Sequence, residues 1–414
     1  MGFSKAFALK GGFAEWTKAG LPVQNKEAAR ESCVQCHQGV TPDVVREWKQ
    51  SAHSDPANAV SCSVCHGTEH SSMQDISKSR PVPAKVCRTC HEKQYVQFSR
   101  SKHAQAWDIM RAWPGFHHAS QDPDSDRDCA LCHSVGFKPD KEIARLRDKD
   151  SPTGASACGN CHADHAYSLQ EAARPEACAP CHQGQATPQM EAFSGSTHGR
   201  LFSGTDADNG QDRENIPTCQ TCHFPDRLHS SKTTLGSLGL GLPLPEDSKW
   251  AAARKTILRG LGLIGLKGQS GDRSSLLAQY KLMPLSKARR EFRRGRMQGI
   301  CIQCHEADTV HAEFEGMDTT LRRADLLMAR AMNILTRMGQ NRGLGRAADA
   351  GYSPDIGRFD PEFHPVEQTV YRMFHILRKK AVQGAAHGNR DMAREGLNEM
   401  QKAVDRLKAM EDGG

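Results

Sequence analysis

The sequence predicts a helical chain: short helices strung between closely spaced motifs, followed by a bundle of three long helices. Three observations predict it. Eight Cys-x-x-Cys-His motifs absorb all 16 cysteines and eight of the 20 histidines. Aromatic residues make up only 6% of 414 positions, few for a core of side chains alone. Apolar residues also recur at every third or fourth position in three stretches near the end, as one face of a helix requires. Apolar residues are 37% of the chain, which with 36 glycines is normal for a globular protein and excludes intrinsic disorder. No run of about 18 apolar residues occurs, so no transmembrane helix is expected.

The motifs are Cys33-Val-Gln-Cys36-His37, Cys62-Ser-Val-Cys65-His66, Cys87-Arg-Thr-Cys90-His91 and Cys129-Ala-Leu-Cys132-His133. They continue with Cys158-Gly-Asn-Cys161-His162, Cys178-Ala-Pro-Cys181-His182, Cys219-Gln-Thr-Cys222-His223 and Cys301-Ile-Gln-Cys304-His305. Each is the attachment signature of c-type haem. Two thiols add to the vinyl groups, and the following histidine ligates iron from one face. Two intervening residues supply the single helical turn this needs. Zinc knuckles and a disulfide framework are the competing readings. Neither explains why histidine follows every second cysteine, a coincidence of roughly one in 10^10 to 10^11 at this chain's histidine frequency. The expected cofactor is therefore eight covalently bound haem c groups with their iron.

The formal charge of +7 alone suggests nucleic acid or anionic lipid as a partner. Eight haems would add roughly sixteen propionates and roughly eight ferric charges, leaving the holoprotein near neutral, so no nucleic acid is expected. The basic run at Arg289–Arg290 and Arg293–Arg296 lacks interleaved aromatics and reads as a solvated helix face. Haem attachment of this kind needs an exported chain, so the expected compartment is the bacterial periplasm or cell exterior. Lys5, Lys10, Glu15 and Lys18 interrupt any leader-like apolar stretch, so a leader is expected to have been removed or replaced.

Low-spin electron-transfer haems take a second axial ligand, usually histidine in such chains. Twelve histidines lie outside the motifs: His53, His70, His103, His117, His118, His165, His198, His229, His311, His364, His375 and His387. His53, His103 and His198 each follow a serine by two residues. His70, His165 and His229 follow their nearest motif histidine closely. These six, with His117 as a seventh, are the expected second ligands. Seven would leave one iron open. His311, His364, His375 and His387 read as helix-surface or pocket histidines. No motif ends in lysine, which disfavours nitrite reductases with a lysine-ligated catalytic haem. A distal lysine would leave no trace in the motifs.

Residues 1–28 form an N-terminal segment, 29–315 the haem-binding core with an insertion at 231–300, and 316–414 a helical C-terminal domain. Close motif spacing leaves little room for a polypeptide core there. In the insertion, Leu235 to Pro245 reads as a loop, Asp247 to Leu263 as a helix, and Ser286 to about Met297 as a basic helix. In the C-terminal domain, Leu321, Ala324, Met328, Ala331, Leu335 and Met338 form one stripe. Pro365 can open a second helix ending near Gly384, with Val366, Val370, Met373, Leu377 and Ala381 aligned. Asn389 can cap a third carrying Ala393, Leu397, Met400, Val404, Leu407 and Met410. The methionines in these stripes read as core.

The sequence resembles the hydroxylamine oxidoreductase-like octahaem cytochromes. The matching stretches are Cys87-Arg-Thr-Cys90-His91-Glu-Lys-Gln-Tyr with Phe98-Ser-Arg-Ser-Lys-His103-Ala-Gln-Ala-Trp107, then Ala173-Arg-Pro-Glu-Ala-Cys178, Leu242-Pro-Leu-Pro-Glu-Asp247, and Pro365-Val-Glu-Gln. The likeness runs from about Glu31 to the end. It implies an all-α fold and a homotrimer packed along its C-terminal helices. It implies a catalytic fourth haem on Cys129, Cys132 and His133, with seven bis-histidine haems shuttling electrons. Members oxidise hydroxylamine or hydrazine, or reduce nitrite and hydroxylamine towards ammonium. A quinol dehydrogenase or a small cytochrome c would be the redox partner.

Two departures bear on direction. Oxidative members carry an Asp-His pair just before a proline after the sixth motif; here the stretch is Gly184-Gln185-Ala186-Thr187-Pro188, so Ala186 and Thr187 replace the acid and imidazole. A general base is missing from that place, and Gln185 and Thr187 are the polar groups left there. Oxidative members also cross-link a tyrosine to the catalytic haem. Tyr371 and Tyr352 lie in the right part of the chain, with Tyr371 beside a helix stripe. Reduction of nitrite or hydroxylamine is the expected direction, with oxidation of hydroxylamine or hydrazine, and electron transfer without turnover, as the alternatives.

Overall fold

The computed structural model describes residues 26–57, 59–78, 82–112, 131–148, 157–204, 216–236, 239, 241–266, 272–280, 285–345, 351–358 and 363–413. Every regular element among them is helical and none is a strand. The fold is all-α. The chain forms two compact units: Met1–Val82 with His162–Ser168, and Pro83–Cys161 with Leu169–Gly414. Cys129, His117 and His118 lie outside the described residues, as does nearly all of the 1–28 segment.

The first unit holds helices α1 (Lys26–Val40), α2 (Pro42–Gln50) and α3 (Cys62–His66). Pro42 sits in the first turn of α2, where its missing N–H costs nothing. Gly67 ends α3 at φ +78°, a conformation that favours glycine.

The second unit begins with short helices: α4 (Ala84–Arg88), α5 (Glu92–Ser99), α6 (Ala106–Ala112), α7 (Asp140–Asp148) and α8 (Gly159–His162), the last crossing into the first unit. Next come α9 (Leu169–Ala172), α10 (Ala179–His182), α11 (Gln189–Ser194), α12 (Thr197–Gly204) and α13 (Cys219–His223). Such helices are too short to be stable alone. Large apolar side chains beside the motifs stay open: Val64 is 55% exposed, Leu131 56% and Ile302 43%, each within a motif's own Cys-x-x-Cys. The described polypeptide therefore builds little core of its own around the motifs.

The large side-chain core lies farther on. The insertion contributes α14 (Ser248–Gly260), whose N-cap Asp247 accepts from Trp250 N–H, then α15 (Ser274–Gln279) and α16 (Lys287–Cys301), capped by Ser286. Helix α16 runs straight into the eighth motif, four residues past its expected end at Met297. The next helix, α17 (Ala307–Arg342), spans the boundary drawn at 315/316. Helices α18 (Pro365–Arg372) and α19 (Arg378–Ala386) are joined without a break by a π-helical turn at Met373–Leu377. Asn389 Oδ1 accepts from Met392 N–H at 3.1 Å and opens α20 (Arg390–Gly413). The stripes are buried as their spacing predicts, with Leu321, Met328, Val370, Met400 and Val404 at 0% exposure, except that Met410, the last of the third stripe, lies 51% exposed at the end of its helix. The bundle has a fourth member, because Ile257, Leu258 and Leu261 of the insertion join the same core.

Asp325 lies at the centre of that core with 0% exposure. Its Oδ2 accepts from Trp250 Nε1 at 2.8 Å and Arg254 Nη1 at 3.2 Å. Its Oδ1 accepts from Arg378 Nε at 2.9 Å and Nη2 at 2.7 Å. Two guanidiniums share one carboxylate, so three of the four helices are tied at a single buried point. The groups need this arrangement because an unpaired buried charge is very costly.

Candidate haem sites

Among the described residues the motifs sit on helical turns. The N–H of His91, His182 and His305 donates to the carbonyl four residues earlier, at 2.8, 2.9 and 2.9 Å. No disulfide joins any of the 15 described cysteines, and no group of three or more described His, Cys, Asp or Glu side chains is arranged to hold a metal ion. The four-sulfur geometry of a zinc knuckle is absent among the described residues.

The histidines carry the stronger signal. A metal–imidazole bond is about 2.0–2.1 Å, and the ring centroid lies roughly 1.1 Å beyond the nitrogen, so two imidazoles on opposite faces of one metal have centroids about 6 Å apart. Five motif histidines meet this condition. His37 faces His70 at 6.1 Å and His66 faces His165 at 6.1 Å, both pairs within the first unit. In the second unit His182 faces His103 at 6.0 Å, His305 faces His198 at 5.8 Å and His223 faces His387 at 6.2 Å. Interplanar angles range from 14° to 78°, as rings free to turn about a metal–nitrogen axis allow. His229 lies close enough to His91 for the two to interact electrostatically. His53 rests its ring on Tyr167 at 5.2 Å, in the same unit as His162.

His387 was not expected. It sits at the end of α19, 164 residues from His223, in a context with no serine before it, and packing alone brings the two together. Burial pushes His103 and His387 down to about 4. Both are thereby kept as the neutral imidazole that a metal takes. Other histidines follow the bland expectation. His364 caps α18, and His375 Nε2 donates to Ile356 O at 2.7 Å.

Local backbone chemistry sets these rings. Gly199 follows His198, and a side chain there would meet Phe193 O at 2.0 Å, so only glycine lets α12 close on α11. His165 itself takes φ +69°, between Ala163 at +54° and Tyr167 at +45°. Asp226 and Arg227, just before His229, lie at +57° and +56°. Non-glycine residues rarely hold this region unless something rewards it.

His133 differs from the five paired motif histidines. Its Nδ1 donates to Ala106 O at 2.8 Å, and among the described residues no second imidazole faces it. Gly136 permits this bond, since a side chain there would meet Trp107 N at 2.3 Å. The fourth and sixth motifs touch: Cys132 Sγ donates to Pro180 O and Cys181 Sγ to Cys132 O, both at 3.8 Å. Gln220 of the seventh motif donates to Ala172 O at 2.7 Å and to Cys178 Sγ of the sixth at 3.7 Å. Three motifs thus lie in sequence.

The comparisons with known proteins agree with this geometry. The family described as "Seven times multi-haem cytochrome CxxCH" matches residues 58–232, and the family "Cytochrome c554 and c-prime" matches residues 8–67. A chain of the reducing hydroxylamine oxidoreductase-like complex of Kuenenia stuttgartiensis shares the fold at TM-score 0.66 and 19% identity, over 93% of this chain and 86% of that one. The chain has the all-α fold of these hydroxylamine oxidoreductase-like multihaem proteins and carries the Cys-x-x-Cys-His motifs of the matching families. A second solved structure, named a hypothetical multiheme protein, matches at TM-score 0.63 and 17% identity, over 94% of this chain and 99% of that one. A probable nitrite reductase–hydroxylamine oxidoreductase fusion protein of the same organism is 24% identical over 326 residues, 67% of this chain. The chain spans 34% of that protein's length. Covalently bound haem c is what the motifs of these families carry, and the paired imidazoles here fit it.

The remaining pocket residues of the cytochrome fall in two places. Gln185 is exposed, and Thr187 Oγ1 donates to Gln183 O at 2.7 Å, so neither stands as a base. Half-buried Tyr371 lies with its ring tilted against His375, centroids 4.1 Å apart, and with Tyr352 and Glu367 it lines a small cavity. One residue that the sequence did not single out reaches the 184–188 loop. Lys379 Nζ donates to Ala186 O at 2.8 Å. Burial, with Arg378 adding to it, lowers this ammonium to about 8. No described helix is long and apolar enough to cross a membrane.

Proposed function

We propose that this cytochrome carries eight haems and reduces nitrite, hydroxylamine or both to ammonium at the iron held by His133, the other seven relaying electrons. The observation that carries the reading is the setting of His133: its Nδ1 donates to Ala106 O, and its motif touches the sixth, which touches the seventh. A haem held on Cys129, Cys132 and His133 would supply the electrons that break the N–O bond of the substrate. The chain's part is to tune and supply. Ala106 O fixes the His133 tautomer and strengthens its donation to the metal. The contacts among the fourth, sixth and seventh motifs support a relay leading to it. The proposal includes export to the periplasm, a homotrimer, and electrons from a quinol dehydrogenase or a small cytochrome c.

Lys379 supports the reductive direction. By the family resemblance the 184–188 loop faces the open iron. A cation there attracts nitrite and can release a proton, whereas oxidation requires a base. An acid near 8 is well matched to proton delivery at neutral pH. The cation is present below about 8 and is lost as pH rises through it. Nitrite turnover is expected to fall above that pH. Lys379→Met is expected to lower turnover about 10²-fold at neutral pH. Lys379→Arg, which stays charged, should retain anion binding but lose the alkaline break. A wild-type alkaline limb unchanged in Lys379→Met rules out this role.

The test of the reading is anaerobic turnover with reduced methyl viologen. Ammonium should form from nitrite or hydroxylamine, and a high-spin ferric signal should shift on adding nitrite or cyanide. A fully haem-loaded protein with only low-spin iron and no ammonium would instead be an electron carrier, a reading favoured by the loss of the Asp-His pair at Ala186 and Thr187. Ammonia-free hydroxylamine oxidation with an electron acceptor would reverse the assigned direction.

A further inference from the structure

The first motif's facing histidine carries a carboxylate. His70 Nδ1 lies 3.1 Å from Asp75 Oδ1, and its ring faces His37 at 6.1 Å. The opposing ring spends its own Nδ1 on a neutral group, Thr41 Oγ1, at 2.8 Å. His133, His223 and His387 likewise give Nδ1 to backbone carbonyls, of Ala106, Lys232 and Gln383.

Asp75 is held in place by more than this bond. Ser72 N–H donates to Oδ1 at 2.8 Å, Ser71 N–H to Oδ1 at 3.0 Å, and Ser71 Oγ to Oδ2 at 3.1 Å. Asp75 also interrupts the surrounding 3-10 turn, at φ −118° and ψ 25°, which turns its side chain back to His70. A carboxylate on Nδ1 fixes the N–H there and leaves the Nε2 lone pair for metal. It also draws the N–H proton towards itself and makes the ring a stronger donor. A stronger axial donor favours the ferric state.

We infer that Asp75 is a positioning residue that gives His70 imidazolate character and sets the haem of the first motif as a low-potential relay. The inference rests on the reading that Cys33 and Cys36 carry a haem. An electron arriving there is held weakly and passed on with strong driving force, as a reductive chain requires of an early carrier.

The experiment is an electron paramagnetic resonance redox titration of the holoprotein and of Asp75→Asn, which keeps shape and loses charge. One low-spin component should titrate at a more positive potential, with at least a tenfold change in its ferric/ferrous ratio at fixed potential, or 59 mV for one electron. Its g-anisotropy should change, and the other components should stay. Asp75→Glu should restore part of the shift. Unmoved potentials in Asp75→Asn with His70 still bound would overturn the inference, as would a uniform shift of all components. Loss of the low-spin signal in Asp75→Asn would also overturn it, showing a bond that merely props the ring. Peptide mass spectrometry over Cys33–Cys36 checks the underlying reading separately: an unmodified peptide sinks the haem assignment itself.

Discussion

Asp325→Ala is expected to unfold the C-terminal helical core. The carboxylate is 0% exposed, and its two guanidinium partners, Arg254 and Arg378, have side chains 4% and 1% exposed. Removing it leaves two buried positive charges facing one another with no anion between them. Burial already lowers Arg254 below its ordinary range, and Asp325 is the main group opposing that. Breaking a buried pair by deleting one partner costs about 3–5 kcal/mol. A domain's whole stability is about 5–15 kcal/mol. Chemical denaturation followed by far-ultraviolet circular dichroism should show the midpoint collapse. Trp250→Phe, which removes one hydrogen bond to the same carboxylate, should cost only about 1 kcal/mol. Equal effects from the two variants would mean the charge is not what the core depends on.

His387→Ala should open a second iron. His223 would keep its place through the bond from Nδ1 to Lys232 O, at 2.6 Å, while the face at 6.2 Å loses its imidazole. One low-spin component should disappear and a high-spin ferric signal should grow in its place. Added imidazole should refill the site and reverse the change, which distinguishes lost ligation from misfolding. A variant with unchanged spin states would remove His387 from the ligand set. Because the seventh motif touches the sixth through Gln220 and Cys178, electron flow to the fourth should slow as well.

Short-range chemistry was readable and long-range pairing was not. The Cys-x-x-Cys-His turns, the Asp247, Ser286 and Asn389 caps, and the stripe from Leu321 to Met338 are properties of a few neighbouring residues. They appear where the spacing puts them. His103 and His198, marked by a serine two residues earlier, face motif histidines. In both cases that serine is buried, and its Oγ accepts from the N–H of the residue after the histidine, at 3.2 and 3.1 Å. His387 lacks this local device and is placed by the packing of α19. The Asp325 centre joins residues 71 and 53 positions apart, which no periodicity encodes. Lys379 likewise acquires its place at Ala186 only in the fold, 193 positions away. The fourth helix of the bundle escaped for a similar reason: α14 sits in an insertion between motifs, yet its apolar face belongs to the later core.

The left-handed residues around His165 and before His229 have a consequence for biogenesis. At roughly 1–2 kcal/mol for each such residue, these two hairpins oppose their own closure until a metal draws the imidazoles inward. The four-helix part needs no metal to close, since its leucine, methionine and valine interior packs around the Asp325 cluster, and its left-handed Leu344, at φ +44°, is buried in that same core. A newly made chain would therefore condense from its C-terminal end while the motif-bearing half stays loose until its haems are attached. Each tetrapyrrole added would then lock one more loop, so that maturation proceeds as stepwise cofactor capture against an already finished scaffold.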